Sequence, residues 1–354
     1  MCDAESMSVP QRVFRRLRLS EPWRYKAPFL MSVPYFMLFA ASASFAKSLI
    51  TILWSLCTIA GIAGFAYLSN DIFDRAADRA AGRPNGTTDL SAWAAALAFS
   101  AFLGAALAPW IFYFVDVVSL SLLIAEFLLL LAYSVPPLRL KQRGGLGVAA
   151  DALYAHVIPA LLAAYAFYVV TGRTYGRFPA FVAMLGTWQL CVGLRSVVTH
   201  QLADAEHDRA ARISTYVIRR GEQASMRLIA FVLAPLELAA WAAFTAVAAA
   251  TIPLLAAGWV AYAAVTGLIV KVHLGQPLRE PLCDRLDRFL NEYYLRWLPL
   301  AVLLALCIRD PRMIALLVLH LVLFRNGLTP LLRHAWYAVR PAGGASARGV
   351  VATE

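Results

Sequence analysis

The feature that most constrains this chain is a series of long apolar runs separated by short charged clusters. The runs lie near 28–46, 48–68, 91–110, 117–134, 148–170, 180–200, 226–248 and 252–271. A further run begins near 293, and Met313–Phe324 either continues it or adds a short extra span beyond Arg309-Asp-Pro-Arg312. A helix needs about 20 mainly apolar residues to cross a bilayer, so the expected fold is an all-α, polytopic transmembrane bundle of about nine helices. Composition agrees. Hydrophobic residues make up 61% and charged residues 15% of 354 positions, against about 45–50% and about 25% in soluble chains.

Three regions follow. Residues 1–27 form a basic N-terminal segment, 28–326 the membrane domain, and 327–354 a tail expected to be partly disordered, Gly/Ala/Ser-rich from Pro341 onward. The N-terminal stretch has no apolar core that would make it a secretory signal. Its Arg12–Arg18, interleaved with Val13, Phe14 and Leu17, either lies on an anionic membrane surface or frays. The cysteines at 2, 57, 191, 283 and 307 show neither disulfide nor metal-knuckle spacing.

A net charge of +11 raises the question of nucleic acid, but the placement of the charge excludes it. With the N-terminus cytoplasmic, the loops after the second, fourth, sixth and eighth runs carry Arg75, Arg79 and Arg83; Arg139, Lys141 and Arg143; Arg209, Arg212, Arg219 and Arg220; and Arg279, Arg285 and Arg288. The opposite loops offer little beyond Lys47, Arg173 and Arg177. That asymmetry is the positive-inside rule.

The chemistry sits at the ends of those runs. Asp71, Asp74 and Asp78 share one stripe of a helix with Asn70, at i, i+3 and i+7 spacing. Carboxylates so arranged repel one another, and a divalent cation relieves the conflict; Mg2+ prefers oxygen ligands and leaves room for phosphate oxygens. A second acidic end follows the sixth run. Asp204 and Asp208 are one turn apart with Gln201 on their stripe, while Glu206 and His207 lie off it. Aligned without a gap, Asn70–Asp78 and His200–Asp208 match at both aspartates, a faint repeat pointing to two pseudo-repeated halves. Two acidic walls on one membrane side suit a diphosphate bridged by Mg2+. Between them in sequence, Tyr133-Ser-Val-Pro-Pro-Leu-Arg-Leu-Lys141 ends the fourth run at Pro136 and Pro137. It projects Arg139 and Lys141 into the same loop layer, where both can bind phosphate oxygens.

These stretches carry a resemblance. Asn70-Asp-x-x-Asp-x-x-x-Asp78 is similar to the first aspartate-rich motif of the UbiA superfamily of intramembrane prenyltransferases, and Asp204-x-x-x-Asp208 to the second. Tyr133-Ser-x-Pro-Pro-x-Arg-x-Lys141 resembles the loop after that family's fourth helix. The resemblance implies Mg2+-dependent transfer of an isoprenyl group from an isoprenyl or polyprenyl diphosphate to an aromatic or lipid acceptor within the membrane. It implies Asp71, Asp74, Asp78, Asp204, Asp208 and Tyr133 as catalytic residues. Asn70, Asp74, Asp78, Asp204 and Asp208 would hold metal, and Asn70, Arg139, Lys141, Arg195 and Gln201 would bind substrate. Tyr133 and Phe73 would supply π-faces to an allylic carbocation.

Ionisable residues within the runs complete the reading, since such residues usually face a cavity. Glu126 lies two turns before Tyr133, and Arg195 about two turns before Asp204. Arg195 either contacts substrate or pairs with an acid such as Glu126. Asp151 and His156 form a weaker pair, with His156 expected as a buried, hydrogen-bonded histidine. The same fold also suits phosphoribosyl transfer to a polyprenyl phosphate or terpene cyclisation. A transporter places its ionisable groups near the bilayer centre rather than at helix ends. The Ala- and Arg-rich composition points to a bacterial inner membrane, with the N-terminus and the Asp-rich loops cytoplasmic.

Overall fold

The computed structural model describes residues 26–80, 82, 85–88, 90–114, 116–210, 213–273 and 282–325. The basic N-terminal segment before Lys26 and the tail from Asn326 lie outside the described residues, as do Arg83 and Arg212. Among the described residues every regular element is helical. In chain order these are α1 (Ala27–Ala40), α2 (Phe45–Ala80), α3 (Ala92–Phe112), α4 (Val117–Ser134), α5 (Gly145–Val170) and α6 (Phe178–Ala203). There follow α7 (Ala205–Ala210), α8 (Tyr216–Arg220), α9 (Glu222–Ala249), α10 (Leu254–His273), α11 (Leu282–Glu292 continuing through Leu298–Arg309) and α12 (Ile314–Leu323).

Six helices, α2 to α6 and α9, are long and apolar enough to cross a membrane. Their outer faces carry side chains such as Leu128, Phe231 and Ile111, exposed to the degree a lipid-facing surface requires. Lipid gives no hydrophobic drive between helices, so association rests on close packing. Gly61 of α2 illustrates this: a Cβ there would come within 2.4 Å of the Ala106 backbone nitrogen on α3. Gly193 of α6 does the same for α5, where a Cβ would stand 2.7 Å from Ala152 Cα. The short helix α1 is buried along nearly its whole length, between α5 and α11. A cluster of rings, including Phe29, Trp188, Trp241, Tyr293 and Tyr294, fills the space between α1, α6, α9 and α11.

Three helices widen into a π turn, and each does so for a reason written in its sequence. The turns are Leu153–Val157 in α5, Ile229–Leu233 in α9 and Tyr293–Trp297 in α11. Each is followed within two residues by a proline: Pro159, Pro235 and Pro299. A proline ring collides with the carbonyl four residues back and donates no hydrogen bond. In all three cases that carbonyl falls inside the turn, and inserting one extra residue relieves the collision. In α3 the carbonyl four residues before Pro109 is that of Ala105, and it accepts instead from the Cys57 thiol at 3.4 Å.

The ends of α2, α4 and α6 come together on one face of the bundle. Arg139 and Lys141 beyond α4 reach Asp74 of α2, and Arg219 of α8 donates to the Gln142 carbonyl at 2.9 Å. On the opposite face Arg173 pairs with Asp116, and Arg309 donates to the Phe39 carbonyl.

Candidate active site

The first acidic wall is built on unbroken helix. α2 runs through Asp71, Asp74 and Asp78 without interruption, which fixes their common stripe. Asp71 is buried, while Asp74 and Asp78 are half-buried. Asp74 accepts from Arg139 Nη2 at 2.9 Å and from Lys141 Nζ at 2.5 Å, so the basic loop lies directly on the wall. Burial pushes the Lys141 ammonium below the usual lysine range, with Asp74 pulling the other way. Asn85 Nδ2 donates to Asp78 Oδ2 and to the Asp71 carbonyl, both at 2.7 Å. Thr87 completes the clasp by bonding Asn85 Oδ1 and accepting from Arg75 Nε. Sequence reading missed Asn85; the Asn85-Gly86 turn signal was its only trace. Asn70 Oδ1 accepts from Ser134 of α4, tying the stripe to the helix that carries Tyr133.

The second wall is interrupted. α6 ends at Ala203, and Asp208 sits on α7. The one-turn relation survives, because the Asp208 N–H donates to the Asp204 carbonyl at 2.9 Å. Asp208 is buried and Asp204 half-buried, with His200 Nε2 3.6 Å from Asp204. Gln201 serves the local fold: its Oε1 accepts from the Val217 N–H at the start of α8. Glu206 is exposed, off the stripe as expected.

Tyr133 stands next to the first wall: its neighbour Ser134 donates to Asn70 Oδ1. Tyr154 stacks obliquely on Tyr133, ring centroids 5.1 Å apart, and donates to Asp151 Oδ2 at 3.0 Å. Asp151, a minor member of the sequence reading, thus stands beside the Tyr133–Tyr154 ring pair. Phe73 does not: it is exposed on α2, one residue off the acid stripe.

Arg195 takes the ion-pair alternative, with a different acid: Glu237 of α9, through Nε to Oε2 at 2.6 Å and Nη2 to Oε1 at 3.1 Å. Nη1 reaches Asp287 and Nη2 also reaches Asn291 Oδ1 at 3.0 Å, both on α11. Every nitrogen of this fully buried guanidinium has a protein acceptor, so its role here is to tie α6, α9 and α11. An acid inside an apolar run, as Glu237 is, was the available signal. His156 also departs from expectation: it is half-buried rather than buried, on the π turn of α5.

Among the described residues no three His, Cys, Asp or Glu side chains are grouped closely enough to hold a metal ion by themselves. The donor set is nonetheless all oxygen and partly accessible, which suits a hard cation that takes the rest of its shell from a phosphate.

Comparison with known proteins agrees with this geometry. The UbiA prenyltransferase family matches residues 30–277. Lycopene elongase/hydratase of Halobacterium salinarum is 33% identical over 156 residues, 43% of this chain and 51% of that protein. The chain thus spans about half the length of this curated relative. Among solved structures, a UbiA homolog from Archaeoglobus fulgidus bound to DMAPP and Mg2+ superposes over 82% of this chain and 99% of that one, at TM-score 0.52 and 20% identity. A structure of digeranylgeranylglyceryl phosphate synthase in membranes covers 84% of this chain and 98% of that one, at TM-score 0.53 and 15% identity. At these identities the likeness is one of fold. With six long apolar helices and this match, the protein is an integral, multi-pass membrane protein.

Proposed function

Because the chain belongs to the UbiA prenyltransferase family, we propose that it transfers an isoprenyl group from an isoprenyl diphosphate to a hydrophobic acceptor within the membrane. The observation that carries this reading is the basic loop after α4 resting on the acid stripe of α2, with Arg139 Nη2 2.9 Å and Lys141 Nζ 2.5 Å from Asp74. An acid-bearing helix end, two phosphate-binding cations and the Tyr133–Tyr154 ring pair meet where a diphosphate head and its allylic carbon would lie.

Asn70, Asp74, Asp78, Asp204 and Asp208 are the residues we assign to Mg2+, which when bound supplies the positive charge that stabilises a departing diphosphate. Arg139 and Lys141, resting on Asp74 in the structure, transfer to phosphate oxygens when donor binds. The allylic C–O bond breaks and its electron pair leaves with diphosphate. The cation so formed faces the rings of Tyr133 and Tyr154 and the Asp151 carboxylate. A double bond of the acceptor then attacks, a C–C bond forms, and the charge is quenched by loss of a proton. The match to a lycopene elongase/hydratase supports an acyclic polyene as acceptor. The arginine-rich side of the bundle we assign to the cytoplasm, and the membrane to a bacterial inner membrane.

The test uses the full chain in lipid nanodiscs with lycopene, Mg2+ and labelled dimethylallyl diphosphate. Label should move into the carotenoid fraction and stay out of it in excess EDTA. Full transfer after metal stripping, or consumption of labelled phosphoribosyl diphosphate in place of every prenyl donor, would overturn the reading.

A further inference from the structure

Asn85 and Thr87, between α2 and α3, lie back along the first acidic wall and bond to it in one fixed sense. The Asn85 side-chain nitrogen has two hydrogens and two acceptors, Asp78 Oδ2 and the Asp71 carbonyl, both at 2.7 Å. Asn85 Oδ1 accepts from the Thr87 N–H at 2.9 Å and from the Thr87 hydroxyl at 2.7 Å. That hydroxyl in turn accepts from Arg75 Nε at 2.9 Å. A guanidinium can only donate, so the hydroxyl hydrogen is left to point at Asn85 Oδ1, and the amide must turn its NH2 toward the acids. Thr87 is fully buried and Asn85 half-buried, which keeps the network against the helix.

The contact divides the Asp78 carboxylate. Its Oδ2 is occupied by Asn85, while Oδ1 has no hydrogen-bond partner among the described residues. Asp74, one turn earlier, is different, because both of its oxygens meet Lys141, a mobile cation on a flexible stem. An amide held by four hydrogen bonds has no such freedom to leave its acid.

We propose that Asn85 is a positioning residue for the metal site: it holds Asp78 to coordination through one oxygen and so favours Mg2+ over Ca2+. The inference rests on the assignment of Asp78 to Mg2+ in the prenyl-transfer reading and adds what shapes that carboxylate for its cation. Mg2+ demands a near-octahedral shell, whose wide angles a bidentate carboxylate cannot span. Ca2+ takes about six to eight oxygens and accepts a carboxylate through one or both. A carboxylate with one oxygen already hydrogen-bonded suits the first ion and deprives the second of a ligand atom. Hydrogen-bonding partners behind a metal ligand are commonly worth about 10-fold to 100-fold in affinity.

The experiment uses the full chain in lipid nanodiscs with an unreactive thio-diphosphate analogue of dimethylallyl diphosphate. Mn2+ bound to the complex is followed by paramagnetic resonance, and Mg2+ or Ca2+ is titrated against it. The wild type should bind Mg2+ more tightly than Ca2+. In Asn85→Leu the ratio of Mg2+ to Ca2+ affinity should fall by about tenfold or more. Raising Mg2+ should restore label transfer in this variant, which a merely structural lesion would not allow. Thr88→Ala removes the bond from the Thr88 hydroxyl to the Asn85 carbonyl at 3.0 Å, in the same loop but outside the side-chain network, and should leave the ratio unmoved. Should Asn85→Leu misfold, Thr87→Val is the second variant; it keeps Asn85 but removes a donor to Oδ1, and the ratio should fall by a smaller factor. A ratio unmoved in the folded variants, or moved as far by Thr88→Ala, overturns the inference and leaves prenyl transfer intact, as does a wild type that does not prefer Mg2+. A wild type that binds no Mn2+ overturns the metal assignment, and the inference with it.

Discussion

On α2 the helix passes Asp71, Asp74 and Asp78 and continues to Ala80, whereas α6 stops at Ala203 and leaves Asp208 to the short helix α7. The two ends align in sequence, yet their surroundings differ. Asp74 carries two cations from the loop after α4, and Asp78 is held by Asn85. Asp204 has the exposed His200 ring 3.6 Å away. The first wall is thus compensated within the protein and coupled to the loop that would receive phosphate. The second is anchored differently, through Arg195, which ties α6 to α9 and α11 about two turns below Asp204. A repeated motif does not entail a repeated electrostatic environment.

The largest effect expected is on turnover. Asp74→Asn and Asp208→Asn should each reduce prenyl transfer by about 100-fold or more, the scale of losing a group that stabilises developing charge. Steady-state assays with labelled donor measure this. Near-normal turnover in either variant breaks the pairing of the two walls.

Next in size is stability in the second half. Arg195→Met should cost about 3–5 kcal/mol, because it leaves Glu237 buried without its cation. Thermal unfolding in detergent reads the loss. The double variant Arg195→Met, Glu237→Met should recover much of it; no recovery would mean that the arginine acts elsewhere.

A smaller effect separates the walls directly. Without metal or donor, Asp74→Asn should lower stability by about 1 kcal/mol through loss of Arg139 and Lys141, while Glu206→Gln, at an exposed position, should change it little. Repulsion among the carboxylates of α2 argues the other way for Asp74→Asn, but two cations lie directly on Asp74, at 2.5 and 2.9 Å. Equal melting temperatures for the two variants would erase the asymmetry.

The smallest effect is the most discriminating control. Glu206→Gln should change neither turnover nor stability, because Glu206 is exposed and points roughly 160° from its acidic neighbours. An inactive Glu206→Gln would put the stripe of α6 and α7 on the wrong face.

Much of this was legible before folding was considered. The apolar runs match α1 to α6, α9 and α10 in order, and the run near 293 matches α11. The acid stripe of α2 followed from spacing alone, since helical periodicity converts sequence distance into a shared face. The three π turns were half legible: Pro159, Pro235 and Pro299 stand in the sequence, but which helix would widen rather than kink depended on its neighbours. Asn85 was not legible as a site residue, because its clasp on Asp78 requires a loop to fold back along α2.

The sequence by itself determined that this chain lives in a bilayer, which ends of its helices share a side, and which residues bear the acids. Those properties follow from local rules of length, charge and period that lipid imposes on each segment separately. Only the tertiary structure decided that Arg195 takes Glu237 rather than Glu126 and that Lys141 lies on Asp74. Partner choice in a bundle depends on how helices rotate and slide against one another. That is fixed by close packing at contacts such as Gly61 and Gly193, between segments far apart in the chain, and no local period encodes it.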